Sequence, residues 1–216
     1  MRRIKRTAFV LVAMMMSALL TTSCTKNDET TITLLGQEKY IDDIIDVIPD
    51  TLLTVFNNNF RIHRGYIPPN VEGAYRFSPK KRKISSVPQQ YWPLSTIEPD
   101  VDFKFEDQHN RMATFSHYEE LTTKTDTVYV IGHDTYFTTY YIEDINLDYG
   151  FGEVKYKRGI IYSGRMKKNG IGALAYASII MEVEDYTNGH VDTYPVGSFF
   201  LYEDGDGLAE EIEWNH

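Results

Sequence analysis

An acidic segment near the C-terminus has residue types that occur in cation-binding loops, although Glu210 follows Gly207 by only three residues where an EF-hand loop has six. The run Glu203-Asp-Gly-Asp-Gly-Leu-Ala-Glu210 places carboxylates at Asp204, Asp206 and Glu210 around two glycines. Calcium prefers several hard oxygen ligands held on a tight turn. A hairpin turn uses the same residues, because glycine adopts positive φ and aspartate bonds nearby backbone amides. Two interpretations stay open: a calcium site at Asp204, Asp206 and Glu210, or a structural turn.

Residue types that support catalysis do not form a recognisable motif. The six histidines include no His-Glu-x-x-His pair and none lies at zinc-site spacing from Cys24, which is the single cysteine. Ser78 and Lys81 match the spacing of a serine–lysine pair, but Pro79 and the basic neighbours predict a loop instead of the helix such a pair needs. The sequence therefore predicts a protein that is not an enzyme and has no cofactor apart from the candidate calcium.

Aromatic side chains are the most abundant candidates for binding. The chain has 16 tyrosines and 11 phenylalanines, and Tyr91-Trp92 belongs to one of the densest groups. Exposed rings stack on glycans and on protein partners. Adjacent residues of a strand point to opposite faces, so we expect one member of Tyr140-Tyr141 in the core and the other on an outer face.

The first 23 residues have the layout of a secretory signal peptide. Four basic residues lie within the first six positions, an apolar run covers 7–20, and small residues lead to Cys24. A transmembrane helix is the alternative interpretation. The apolar run is shorter than the roughly 20 residues that span a bilayer, and no stop-transfer charges follow it. We therefore expect residues 1–23 to be a cleaved signal peptide.

The junction Leu20-Thr-Thr-Ser-Cys24 resembles a bacterial lipobox in the loose form found in lipoproteins of the Bacteroidota. The resemblance implies that the Cys24 sulfur takes a diacylglycerol and that Cys24 becomes the new N-terminus. The segment Thr25-Lys-Asn-Asp-Glu29 resembles the tract that directs such lipoproteins to the outer face of the outer membrane. The expected protein is thus an outer-membrane lipoprotein exposed at the cell surface and attached by its acyl chains.

Charge excludes one class of partner. The predicted signal peptide holds four of the 22 basic residues and none of the 31 acidic ones, so the remainder has 18 basic against 31 acidic residues, a formal charge of −13. Such a surface repels nucleic acid and anionic lipid headgroups. We expect no nucleic-acid partner, and we expect membrane attachment through lipid and not through basic residues.

Hydrophobic periodicity predicts one β-rich domain over 40–216, preceded by a flexible tether over 24–39. Apolar residues over 41–56 form one helical stripe that Pro49 interrupts, which predicts short helices within 40–58. From about residue 73 onward, some nine alternating runs are separated by turn residues. This pattern predicts a mainly β fold, an antiparallel barrel or sandwich with short N-terminal helices packed on it. In one strand, Ala173, Ala175 and Ala177 share a face, which indicates close approach of another layer.

The segment Ile67-Pro-Pro-Asn-Val-Glu-Gly-Ala-Tyr75 and the closing run Phe200 to Glu210 resemble a group of uncharacterised Bacteroidota lipoproteins. Their plan is similar to that of lipocalin-like (calycin) domains, in which Gly-x-Trp opens the first barrel strand; here Gly73-Ala-Tyr75 has tyrosine in that place. The resemblance implies a barrel that holds a small apolar ligand.

Two functions follow as hypotheses. A carrier of a small apolar molecule predicts Ala173, Ala175 and Ala177 facing inward beside an open cavity. A protein or glycan interaction module, or an accessory subunit of an envelope system, predicts a filled core and an exposed aromatic patch that includes Tyr91 and Trp92.

Overall fold

The computed structural model describes residues 41–87, 96–119, 122–190 and 193–216. Ile41–His216 form one compact unit. The predicted signal peptide, Cys24 and the predicted tether lie outside the described residues, and so do Tyr91 and Trp92. Within the described part of the chain, no helix is long and apolar enough to cross a bilayer.

Two short helices open this unit, α1 over 41–46 and α2 over Asp50–Asn59. Pro49 separates them, and its carbonyl accepts the first backbone bonds of α2 from Leu52 and Leu53 at 2.8 and 2.9 Å. Asp50 lies in the first turn of α2, where a carboxylate interacts favourably with the helix dipole. The interruption that Pro49 predicts is therefore present, because proline fits the start of a helix but not its interior.

In the described residues after the helices, eleven strands form one antiparallel sheet. They are β1 (Gly73–Phe77), β2 (Lys80–Ser85), β3 (Ile97–Glu98), β4 (Val101–His109), β5 (Met112–Glu119), β6 (Thr122–His133), β7 (Tyr136–Asp148), β8 (Glu153–Lys167), β9 (Gly170–Asp185), β10 (Phe199–Asp204) and β11 (Leu208–Glu211). From β4 to β9, each strand pairs with the next along the chain.

The sheet closes into a barrel because β11 pairs with both β1 and β9. β1 pairs with both β4 and β11, with Tyr75 opposite Glu211, and β2 pairs with β10, with Ser85 opposite Phe200. β10 and β11 both pair with β9, each along a different stretch of that strand. The prediction of a mainly β antiparallel fold is confirmed, and the barrel forms instead of the two-sheet sandwich.

Closure is partial on the side of β6 and β7. These two strands pair over Tyr129–His133 and Tyr136–Tyr140, and their pairing ends there. Among the described strands, the rest of β7, as far as Asp148, pairs with β8 alone. An ion pair between Lys124 and Glu143, 3.2 Å from nitrogen to oxygen, spans the unpaired stretch. The barrel interior therefore has an opening along this seam.

Aromatic side chains fill the interior. Phe103 lies at the centre of this cluster, with its ring centroid 5.6–5.9 Å from the rings of Phe105, Phe115, Tyr75 and Tyr162. Burial of each such side chain is worth about 1.5–3 kcal/mol. Because the rings contact one another across several strands, they provide the core that holds the barrel closed.

The two helices cover part of the barrel's outer face. Ile44 of α1 and Phe56 of α2 are fully buried against outward-facing residues of β7 to β10. Tyr140 and Tyr141 point to opposite faces as expected, yet both are buried, because Tyr140 lies beneath this helical layer. The predicted packing of short N-terminal helices on the sheet is confirmed.

Candidate functional site

A small polar pocket opens into the barrel interior beside the unpaired seam. Its volume is about 40 Å³. Its walls combine apolar, phenolic and charged side chains: Phe77, Lys80, Val101, His117, Tyr141, Glu143, Arg158, Tyr162 and Tyr176. Charged groups at inward-facing strand positions are costly unless they are paired, so their partners determine what this pocket can do.

Glu143 is held between two cations. The Arg158 Nη2 atom donates to Glu143 Oε2 at 2.7 Å, and the Lys124 Nζ atom donates to Glu143 Oε1 at 3.2 Å. Burial on its own raises the pKa of Glu143, but the charges and hydrogen bonds of Arg158 and Lys124 outweigh burial and lower it. Glu143 is therefore ionised at neutral pH, and both carboxylate oxygens are engaged.

Three tyrosines form a ladder across neighbouring strands. Tyr176 lies directly opposite Tyr162 and Tyr202, with ring centroids 4.9 and 5.5 Å away. Burial raises the pKa of Tyr176 to about 12, and burial also raises the pKa of Tyr141 well above its ordinary value. Their phenols stay protonated at neutral pH and can donate hydrogen bonds. The Lys80 ammonium lies 5.1 Å from the Tyr202 ring centroid and 5.7 Å from that of Tyr176.

His117 and Glu143 both line this pocket, which raises the question of acid–base catalysis. Glu143 is committed to Arg158 and Lys124, so it does not orient the imidazole in the way a catalytic base requires. The residues that line the pocket include no serine, threonine or cysteine. The arrangement of paired charges and phenols is suited to binding a small polar group.

A second feature lies where β7 and β8 extend past the barrel. We name Tyr149, Phe151 and Tyr186 the aromatic tip; their side chains are 40, 60 and 55% exposed. The ring centroids of Tyr149 and Phe151 lie 6.2 Å apart, and the His190 ring stands edge-on to Phe151 at 6.0 Å. Contiguous exposed apolar groups are candidate interaction surfaces.

Backbone contacts hold the aromatic tip in place. Tyr149 N–H donates to the Gly152 carbonyl at 3.0 Å, which closes the turn between β7 and β8. Tyr186 N–H donates to the Glu153 carbonyl at 2.8 Å and joins the turn to the end of β9. A Cβ atom at Gly152, whose φ is +157°, would lie 2.4 Å from the Tyr186 carbonyl oxygen, so this close approach requires glycine.

The alanines predicted to face a cavity do not do so. Ala177 is fully buried and Ala175 half-buried, and both pack in the cluster that joins the helices to the outer face of the barrel. Ala173 has a φ of +50° and is exposed. The predicted inward-facing alanine stripe is therefore wrong, because the strand alternation points tyrosines inward at this level. Close approach of another layer does occur at Ala175 and Ala177, and that layer is helical.

The candidate calcium loop is a tight turn in this structure. Asp204 Oδ1 accepts backbone N–H bonds from Asp206, Gly207 and Leu208 at 2.9–3.2 Å. Glu210 lies in β11, beyond the turn. Over the described ranges of the chain, no three metal-ligating side chains converge. Calcium at Asp204, Asp206 and Glu210 stays a prediction, while the turn itself is accounted for by side-chain bonds to the backbone.

Asp204 should make the stability of the protein depend on pH. Burial and the nearby Asp206 carboxylate raise the pKa of Asp204 to about 6. A raised pKa means that the folded state binds the proton more tightly than the unfolded state, so stability is present at low pH and lost as the pH rises through about 6. For the unsubstituted protein we expect the free energy of unfolding to fall by about 1–2 kcal/mol between pH 4 and 7. In Asp204→Asn this fall should be absent. Urea titrations at several pH values measure this slope.

Asp206→Asn serves as the matched control for that experiment. Hydrogen bonding to Asp204 and to Leu208 N–H lowers the pKa of Asp206, so its contribution is lost as the pH falls instead. Because the Asp206 carboxylate also contributes to the raised pKa of Asp204, Asp206→Asn should reduce the slope between pH 4 and 7 only in part, whereas Asp204→Asn should abolish it. Equal slopes for Asp204→Asn and the unsubstituted protein would contradict the assignment.

We did not predict the inward-facing charges from the sequence, although strand alternation indicates them. Glu143 follows Tyr141 by two residues and Arg158 precedes Ile160 by two, so strand alternation places both charges on the face of the core residues. The partnership between them depends on the register of β7 against β8, in which Glu143 lies opposite Arg158.

Comparisons with known protein families, with curated proteins and with solved structures found no match for this chain.

Proposed function

We propose that this chain is a non-catalytic binding module that recognises a glycan through the aromatic tip. The observation that carries the proposal is the pair of exposed rings of Tyr149 and Phe151 at the end of the β7–β8 extension, with the exposed Tyr186 joined to the same turn by a backbone bond. Rings presented on a rigid support bind planar apolar surfaces at low cost in conformational entropy. The faces of sugar rings offer such surfaces.

Polar groups beside the aromatic tip suit a hydroxyl-rich ligand. The Tyr186 hydroxyl donates to Glu184 at 2.7 Å, and the Lys155 ammonium lies 5.2 Å from the centroid of the same ring. Asp148 Oδ1 accepts Gly150 N–H at 2.7 Å within the turn. Rings flanked by carboxylates and an ammonium can combine stacking with directional hydrogen bonds. A net charge of −9 for the whole chain favours a neutral glycan over a polyanion.

The size of the interior pocket argues against the carrier hypothesis. Pockets for drug-sized ligands enclose about 300–1,000 Å³. The pocket inside this barrel has a volume of about 40 Å³, and buried aromatic and aliphatic side chains pack together in the interior cluster. This pocket is too small to enclose a drug-sized apolar ligand. An interaction surface is therefore the better-supported function.

The attachment of the module rests on the sequence. We propose that residues 1–23 are removed, that Cys24 carries the lipid and that residues 24–39 tether the barrel to the outer membrane. A tether of this length lets the aromatic tip reach ligands at the cell surface.

Substitution of the aromatic tip tests the proposed function. Phe151→Ser together with Tyr186→Ser should lower affinity for a neutral polysaccharide by about tenfold or more, because each lost ring contact is worth about 0.5–1.5 kcal/mol. Affinity electrophoresis in gels that contain individual neutral polysaccharides measures the change. Tyr66→Ser is the matched control, since Tyr66 is also 55% exposed but lies by the start of the β6–β7 turn.

Three outcomes separate the hypotheses. Retardation that the double variant loses and the Tyr66 variant keeps supports glycan recognition. Retardation that all proteins share, or that none shows with any polysaccharide, contradicts it. Loss of a protein partner by the double variant, without any glycan response, would replace it with the protein-interaction alternative.

A further inference from the structure

Arg111 is a buried arginine whose guanidinium has no hydrogen-bond partner. Its side chain is only 3% exposed. The Nε, Nη1 and Nη2 atoms are all buried, and none of them has a hydrogen-bond partner among the described residues. A lysine or a glutamate reduces the cost of burial by losing its charge, but an arginine is not deprotonated in a protein. The guanidinium therefore needs an acceptor that the described residues do not supply.

The position of Arg111 in the barrel explains its burial. The residue precedes β5, in the turn from β4, and its carbonyl accepts the Val130 N–H of β6 at 2.8 Å. Val130 and Ala113 both belong to the core cluster inside the barrel. Because side chains alternate along a strand, Arg111 shares the inward face of Ala113. The Arg111 side chain is therefore held on the core side of the barrel wall.

The Tyr66 ring lies against this guanidinium, with Arg111 Cζ 5.3 Å from the ring centroid. The π face attracts the cation but offers no acceptor in the plane of the guanidinium. Tyr66 is 55% exposed, so its side chain contacts the solvent as well as Arg111. Its backbone is fixed beside β6, where Gly132 N–H donates to the Gly65 carbonyl at 3.1 Å. Rotation about the side-chain bonds of Tyr66 can therefore uncover Arg111 while the backbone stays in place.

The chemistry of the guanidinium selects a carboxylate as the acceptor. Its N–H groups form a planar fork that matches the two oxygens of a carboxylate. A carboxylate has a single negative charge, so the pair with Arg111 is neutral. A phosphate dianion would leave one negative charge in a buried site, which is unfavourable. Chloride has the right charge but lacks the second acceptor atom.

We propose that Arg111 binds the carboxylate of a small organic acid, at a site that the Tyr66 ring covers. Successive turns of an antiparallel sheet lie at alternate ends of its strands. The β4–β5 turn with Arg111 is therefore at one end of the barrel, and the β7–β8 turn with the aromatic tip is at the other. Carboxylate binding is independent of glycan binding at the aromatic tip, and each is tested by its own variants.

Thermal unfolding in buffer without carboxylates tests whether the charge is unpaired in the free protein. Arg111→Met removes a buried charge and keeps an apolar stem, so it should raise the melting temperature by about 3 °C or more. Arg165→Met is the matched control: Arg165 Cζ also lies 5.2 Å from a tyrosine ring centroid, but the residue is exposed and its Nε donates to Thr135 at 3.2 Å. This control should show no gain. A melting temperature of Arg111→Met that does not exceed that of the unsubstituted protein would overturn the proposal.

Titration with formate and acetate at constant ionic strength tests the ligand, with chloride and phosphate as comparison anions. A ligand that binds only the folded state raises the melting temperature, so the unsubstituted protein and Arg165→Met should respond and Arg111→Met should not. Arg111→Lys should bind carboxylate about tenfold or more weakly, because lysine cannot form the bidentate pair. General stabilisation by excluded ions acts on all four proteins alike. An equal response in Arg111→Met would overturn the site, and a larger response to phosphate than to formate and acetate would overturn the choice of carboxylate.

Diffraction from the unsubstituted protein keeps the proposal testable if the Arg111 variants do not fold. Crystals grown in acetate should show a carboxylate in the plane of the guanidinium, with its two oxygens about 2.7–2.9 Å from nitrogens of Arg111. Crystals grown in chloride, without carboxylates, provide the comparison. Water alone beside the Arg111 nitrogens in acetate would overturn the proposal, whatever the variants do.

Discussion

Replacing Gly159 by valine should destabilise the protein by about 2–3 kcal/mol or more, because it pushes the helical layer off the barrel. Gly159 lies in β8 beneath α1, and a Cβ atom there would lie 2.3 Å from Ile44 Cγ2 and 2.9 Å from Ile44 Cγ1. Ile44 is fully buried, so it has no open space into which to move. Urea unfolding measures the change in the free energy of unfolding.

A second substitution identifies the contact as the cause. Ile44→Ala removes the atoms that clash with the new side chain, so the double variant Gly159→Val, Ile44→Ala should lose less stability than the sum of the two single changes. Lys155→Val is the control for β8, since that position is exposed and valine favours strands. Strict additivity in the double variant would contradict docking of α1 on Gly159.

Removal of the Glu143 carboxylate has the next largest expected effect. Glu143→Gln leaves Arg158 and Lys124 without their shared anion, and one of these, Arg158, is largely buried. Breaking a fully buried pair costs about 3–5 kcal/mol, and this pair keeps some solvent access, so we expect about 2–3 kcal/mol at pH 7. The free energy of unfolding from urea titration measures the loss.

The pH dependence of this loss gives a further check. Because the folded-state pKa of Glu143 is lowered, its contribution is present above its ordinary pKa and disappears as the pH falls through the folded-state value. The unsubstituted protein and Glu143→Gln should therefore converge in acid. Glu182→Gln is the control: its pair with Lys157 is 2.6 Å long but exposed, and we expect no measurable change. A constant difference across the whole pH range would argue against an electrostatic origin.

The alternation of apolar and polar residues along the chain predicted most of the fold. The runs around Phe103, Phe115 and Tyr141 alternate in sequence, and they form strands whose inward residues make the core. The helical stripe with Pro49 predicted both short helices and the break between them. These patterns are local, because the side-chain period of a strand or helix depends only on neighbouring residues.

Local sequence patterns do not decide which face of a strand lies inside the barrel and which lies under the helices. Alternation separated Tyr140 from Tyr141, but only the docking of the helices decided that both are buried. The same packing put Ala175 and Ala177 beneath helices instead of beside a cavity. A strand's two faces look alike in sequence when both are covered by apolar layers, so the assignment of inside and outside required the closed sheet.

The candidate functional residues show the same division between what local sequence determines and what the tertiary structure decides. The sequence by itself determined the β-rich class and the helical segment, because each follows from the conformational preferences of adjacent residues, and it offered the tight turn at Asp204 as one of two interpretations. It also identified Cys24 as the predicted lipid anchor. Only the tertiary structure brought Glu143, Arg158 and Lys124 together and set Tyr149, Phe151 and Tyr186 on one tip. Residues distant along the chain meet there through strand register and sheet closure, which depend on the packing of the whole barrel.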